Sequence, residues 1–123
     1  MTQPLALVLY ERVLPGSRLV NRLQELNYRV KTINDRTQLV AVAEEAKPML
    51  VFADLLPGGK EVCSAMARLR QNPKTSYLPV VAFGADTPEL ESAAREAGVT
   101  LLVAEAALLT HLTQFLEQAL QVD

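Results

Sequence analysis

The sequence predicts an α/β protein built on a doubly wound parallel sheet of five strands. Three observations support this prediction: short apolar runs alternate with amphipathic segments, the alternation occurs five times, and turn or capping residues separate the segments. Because consecutive parallel strands need right-handed crossovers with helices on both faces, the expected strand order is 2-1-3-4-5. Half of the 123 residues are hydrophobic, which is enough for the core of a single domain over 1–123.

Five segments have the character of strands. The first and third are nearly unbroken apolar runs, as expected for strands that are covered on both faces. The second alternates apolar and polar residues, which indicates a more exposed strand near the sheet edge. The predicted strands are 5–9, 28–33, 49–53, 80–83 and 99–103.

Each strand precedes a segment with apolar residues at helical spacing. Ser17 is expected to cap the first helix, after a loop that contains Pro15 and Gly16. Asp35 or Thr37 is expected to cap the second. The fourth has the clearest limits, with a capping residue and a proline at its start and a glycine at its end. The predicted helices are about 17–27, 35–47, 60–70, 86–98 and 108–122.

Composition and charge exclude several classes of protein. The net charge of -2 provides no basic field for nucleic acid, and the apolar run near the N-terminus is far shorter than the ~20 residues of a membrane helix. The single cysteine fits a reducing compartment, so a cytoplasmic location is expected. From residue 86 onward, seven acids accompany one arginine, a net charge of -6. This surplus indicates either a solvated acidic surface or a docking surface for a basic partner.

Ligand sites in such sheets lie at the carboxyl ends of the strands, near the point where the strand order reverses. The sequence places Tyr10 and Glu11 after the first strand, Asp54 after the third, Gly84 after the fourth and Glu105 after the fifth. These five residues are therefore the candidate site.

The sequence resembles the receiver domain of two-component response regulators over essentially the whole chain. The anchors of this resemblance are Leu26–Val30, Pro48–Leu55, Pro79–Val81 and Ala97-Gly98. The resemblance implies a flavodoxin-like (βα)5 fold and a non-enzymatic role in signal transduction. It also identifies Asp54 as the candidate phosphoacceptor.

Receivers support aspartyl phosphorylation with an acidic pair that holds Mg²⁺, a hydroxyl residue after the fourth strand and a lysine after the fifth. Here these positions carry Tyr10-Glu11, Gly84 and Glu105. A glutamate in place of the lysine opposes a phosphoryl group by ~4 kcal/mol at ~4 Å and an effective dielectric constant near 20. The resemblance therefore predicts a pseudo-receiver in which Mg²⁺-dependent phosphorylation is weak or absent. Any weak Mg²⁺ site would use Glu11 and Asp54, and Tyr10 is expected to fill the space of a cation.

Such a module would act through protein contacts, and no nucleic-acid or membrane partner is expected. The resemblance places these contacts on the fourth helix, the fifth strand and the last helix, for a partner with a basic surface or for a second copy. The candidate contact residues are Glu91, Arg95, Glu96, Glu105, Leu112 and Glu117. Two alternatives remain open: a functional phosphoacceptor with an atypical pocket, and a flavodoxin-like domain that binds a small ligand.

Overall fold

Five parallel strands form one sheet in the order β2-β1-β3-β4-β5 in the computed structural model, which describes residues 3–120. The α/β class and the strand order predicted from the sequence are thus confirmed. β2 and β5 are the edge strands, and β3 lies at the centre with all five residues buried. The strands are β1 (Leu5–Leu9), β2 (Arg29–Ile33), β3 (Leu50–Asp54), β4 (Val80–Phe83) and β5 (Leu101–Val103).

Within residues 3–120, helices α1 to α4 and one short 3₁₀ turn, Arg36–Gln38, connect the strands, and α5 and α6 follow the last strand. The helices are α1 (Val13–Glu25), α2 (Leu39–Ala46), α3 (Gly59–Gln71), α4 (Pro88–Glu96), α5 (Glu105–Leu108) and α6 (Leu112–Leu120). Their apolar stripes cover both faces of the sheet, as the crossover rule requires.

The core has one layer on each face of the sheet. Leu19 of α1 and Leu116 of α6 pack with Phe52 and Phe83 on one face. Helices α2, α3 and α4 cover the other face, where Met66 is one of the buried side chains. Neighbouring residues of a strand point to opposite faces, so each buried strand contributes side chains to both layers.

Helix α1 begins at Val13, four residues before the predicted start at Ser17. Pro15 fits within the first turn, where its missing N–H costs no intrahelical hydrogen bond. Gly16 is buried against the ring of Tyr10, and a Cβ there would come within 2.0 Å of the Cδ2 atom of that ring. Ser17 is not the cap, because its hydroxyl donates to the Val13 carbonyl at 2.8 Å instead. Pro15 and Gly16, which are predicted to lie in a loop, are therefore part of α1.

The other helix limits follow the sequence more closely. Thr87 caps α4 by accepting a hydrogen bond from the Leu90 N–H, and Gly98 ends that segment with a φ of 92°. Asp35 caps the 3₁₀ turn before α2. The predicted last helix, about 108–122, corresponds to α6, and its predicted end at Val122 lies outside the described residues. The short helix α5 before it was not predicted.

A single arginine joins three segments at the amino ends of the strands. Arg70, near the end of α3, donates to the carbonyls of Gly98 at 2.8 Å, of Ser76 at 2.9 Å and of Leu78. It also donates to the Thr100 hydroxyl at 3.2 Å. The side chain thereby fixes the loops that lead into β4 and β5.

Candidate functional site

The carboxyl edge of the sheet brings the predicted site residues to one end of the molecule. Tyr10 and Glu11 follow β1 directly, and Asp54 is the last residue of β3. Gly84 follows β4, and Glu105 begins α5 two residues after β5. Asp54 is paired in register with Phe83, so it lies beside the end of the neighbouring strand.

Arg12 dominates this site. Its Nε atom donates to Oδ2 of Asp54 at 2.8 Å, and its Nη2 atom donates to Oδ1 at 2.7 Å. Both oxygens of the carboxylate are thus held by one guanidinium, the two-pronged geometry in which arginine is most effective. The Leu56 N–H adds a third hydrogen bond to Oδ1 at 3.1 Å.

The same guanidinium reaches a second carboxylate. Arg12 Nη2 lies 2.5 Å from Oε1 of Glu105. The Asp54 side chain is fully buried, whereas 29% of the Arg12 side chain and 44% of the Glu105 side chain are exposed. The hydrogen bond with Asp54, and then the one with Glu105, raises the pKa of Arg12, although burial opposes the shift. We call Arg12, Asp54 and Glu105 the Arg12 triad.

Gly84 leaves the space in which the Arg12 triad forms. A Cβ on Gly84 would lie 2.8 Å from Arg12 Nη2 and 2.8 Å from Asp54 Oδ1. Its φ of 88° is also in the left-handed region that favours glycine. Arg12 therefore lies beside both Gly84, which lacks the expected hydroxyl, and Glu105, which carries a negative charge in place of a positive one.

Substituting Gly84 with Ser tests this dependence. We expect Gly84→Ser to lower the free energy of unfolding by about 1 to 2 kcal/mol, because the new side chain is strained and displaces Arg12. Urea denaturation measures the loss. Gly98→Ser, at a comparable φ of 92° but near Arg70, separates backbone strain from the effect on the Arg12 triad. An unchanged or higher free energy of unfolding in Gly84→Ser would contradict the proposed packing.

Tyr10 borders this edge of the sheet on the side of α1, and its filling the space of a cation stays a prediction. Its ring packs against Gly16 of α1 and joins the core layer on that face of the sheet, while Arg12 provides the cation. Glu11 lies 3.5 Å from Arg36 and borders a small cavity together with Tyr10 and Asp54. Glu11 and Asp54 are therefore paired with two different arginines.

The residues at this edge do not fit Mg²⁺. The ion prefers octahedral oxygen ligands at about 2.0–2.1 Å, and both Asp54 oxygens already accept hydrogen bonds from Arg12. Over residues 3–120, no three histidine, cysteine, aspartate or glutamate side chains are grouped to hold a metal ion. The guanidinium supplies the positive charge that a divalent ion would bring to Asp54.

The six candidate contact residues do not form one face. Leu112 is 1% exposed and belongs to the core, so its assignment to a contact surface is wrong. Glu117 borders a groove beside Leu26 and Tyr28, on the side of α6 that faces α1.

The acids of α4 also point in different directions. Glu96 borders a groove between α3 and α4. Glu91 and Arg95 lie 3.9 Å apart on the exposed surface of α4. With Glu105 held in the Arg12 triad, the acidic surplus of the last third of the chain is spread over several surfaces.

The known structures that this chain resembles identify its fold. The receiver domain of a sensor histidine kinase from Pseudomonas aeruginosa superposes with a TM-score of 0.87 at 19% identity, covering 97% of this chain and 98% of that one. This is the receiver fold. A response regulator from Thermotoga maritima, at 18% identity, has a TM-score of 0.80 with the same coverage of both chains. The chemotaxis protein CheY4 of Vibrio cholerae, at 16% identity, has a TM-score of 0.83 over 96% of this chain and 99% of that one.

No protein-family model and no curated protein matches the sequence. The receiver fold therefore rests on structural likeness at 16–19% identity. The Pseudomonas domain is described with a magnesium ion coordinated in its active-site cleft. Among the helices described within 3–120, none is long and apolar enough to span a membrane.

The sequence predicted which residues meet at this edge of the sheet but missed Arg12, which pairs with two of them. Arg12 lies 42 positions from Asp54 and 93 positions from Glu105, so no local pattern links them. One signal was present: a buried carboxylate needs a cation, and Arg12 follows the first strand at the same edge as Asp54.

Proposed function

We propose that this chain is a non-catalytic signalling module of the receiver fold that acts by protein–protein contact. In this proposal, ordinary Mg²⁺-dependent phosphorylation of Asp54 is weak or absent. The observation that carries it is the hold of Arg12 on both oxygens of Asp54.

Transfer of a phosphoryl group to Asp54 needs one free carboxylate oxygen in line with the leaving group. It also needs positive charge on the transferred oxygens, which metal ions and basic side chains provide. Arg12 occupies the oxygens of Asp54, and Glu105 places a negative charge beside them. Attack by Asp54 would first require the loss of at least one charge-assisted hydrogen bond to a fully buried carboxylate.

Incubation with acetyl phosphate or phosphoramidate in the presence of Mg²⁺ tests this proposal. We expect the intact mass to stay unchanged, because Asp54 is not available to the donor. Asp54→Asn is the matched control, and a receiver with a complete pocket verifies the donor. A stable phosphate adduct that is absent from Asp54→Asn would overturn the proposal and favour the functional phosphoacceptor instead.

The proposed contact surface is the β5 edge with the flanking exposed sides of α4 and α6. Strand β5 has a neighbour on one side only, and its three aliphatic residues are half-buried. Glu91 and Arg95 are exposed on α4. Such a surface suits a partner with a basic or mixed surface, or a second copy of the chain. Size-exclusion chromatography with light scattering at low and high salt distinguishes the two.

A further inference from the structure

The segment 101–111 packs on the core through apolar side chains but has few polar contacts with the rest of the fold. Strand β5 has three residues and pairs with β4 alone. Helix α5, of four residues, follows with Ala104 at its N-cap, where no side chain caps it. Leu108 is the buried anchor of this helix. Short elements with few polar contacts open at a lower free energy than the whole domain unfolds.

One polar side-chain contact joins this segment to the centre of the sheet. Among the side-chain hydrogen bonds and ion pairs of residues 3–120, the bond of Arg12 to Glu105 is the only one that joins 101–111 to another element. The Nη2 atom that donates to Glu105 also donates to the fully buried Asp54, and the Nε atom donates to Asp54 as well. Arg12 therefore connects a fully buried carboxylate to a segment that has one polar side-chain contact with other elements.

We infer that Arg12 is a built-in latch that holds segment 101–111 against the carboxyl edge of the sheet. The Arg12 side chain thus connects Asp54 to the turn after β5, and this connection needs no bound ligand. The latch goes beyond the proposed function and does not depend on it, because it concerns how tightly the segment is held whatever happens to Asp54. Glu105 is the exposed partner of Arg12 in the latch, so the contact between them can break while Asp54 stays buried.

Hydrogen–deuterium exchange of the full chain tests the latch. Glu105→Gln removes the charge at the exposed end and leaves Arg12 paired with Asp54. We expect exchange in peptides from 101–111 to rise about threefold to tenfold, with α2 and α3 unchanged. The matched control is Glu25→Gln, which breaks the exposed Arg22–Glu25 pair of α1 and should leave 101–111 at its original rate.

Arg12→Lys is the second variant. Lysine keeps the positive charge beside Asp54 but lacks the planar fork that reaches two carboxylates at once. It should therefore raise exchange in 101–111 in the same way as Glu105→Gln. Unchanged exchange in Glu105→Gln, or a rise that is uniform over the whole chain in both variants, would overturn the latch.

Discussion

Replacing Arg12 with Ala is expected to lower the free energy of unfolding by about 3 kcal/mol. The substitution leaves the carboxylate of Asp54 fully buried, with the Leu56 N–H as its remaining hydrogen-bond donor. An unpaired buried charge costs several kcal/mol, and the partial exposure of Arg12 places the loss at the lower end of that range. Urea denaturation followed by circular dichroism measures the change.

A double-mutant cycle assigns the loss to the ion pair. Asp54→Asn removes the buried charge, so Arg12→Ala combined with Asp54→Asn should be more stable than the sum of the single effects predicts, by about 2 kcal/mol. Arg22→Ala removes an arginine that pairs with Glu25 on the surface, and it should cost less than about 0.5 kcal/mol. Additive effects of the two site substitutions would show that Arg12 does not stabilise Asp54.

Arg70→Met is expected to lower the free energy of unfolding by about 2 to 3 kcal/mol. Methionine retains much of the apolar stem but removes the donors to the carbonyls of Gly98, Ser76 and Leu78. Leu78 is 1% exposed, so water cannot easily replace the arginine there. Thermal and urea denaturation give the magnitude.

The control for Arg70 lies on the same helix. Arg68 is exposed, so Arg68→Met should change the free energy of unfolding by less than about 0.5 kcal/mol. Equal effects of the two substitutions would mean that the carbonyl contacts of Arg70 contribute little. Arg70→Lys should recover part of the loss, because an ammonium group can still donate to some of the same carbonyls.

The fold was predictable because its determinants are local and repeated. The limits of β1 and β4 agree with the apolar runs of the sequence, and the capping residue and the proline at the start of α4 mark its first turn. The start of α1 was misjudged because Pro15 and Gly16 usually interrupt helices. A proline in the first turn does not, and a glycine packed beneath Tyr10 has a tertiary reason to be there.

The site was predictable in position but not in chemistry. Topology alone brings Asp54, Gly84 and Glu105 to one edge of the sheet. In the sequence, Gly84 and Glu105 are two separate departures from the receiver pattern. The structure shows that they share one neighbour, because Gly84 leaves room for Arg12 and Glu105 accepts its third hydrogen bond. Side-chain rotamers and loop paths decide which residue bridges two carboxylates that are distant in the sequence. The spacing of residues along the sequence does not determine either of them.

The packing of Gly84 against Arg12 also constrains which receiver-type residues this edge of the sheet accepts by mutation. A hydroxyl side chain at position 84 meets the guanidinium, and a lysine at position 105 places a second cation beside it. Shortening Arg12 first leaves the buried Asp54 unpaired. Each single substitution is therefore expected to be unfavourable alone. The effects of substitutions at Arg12, Gly84 and Glu105 should accordingly depend on one another.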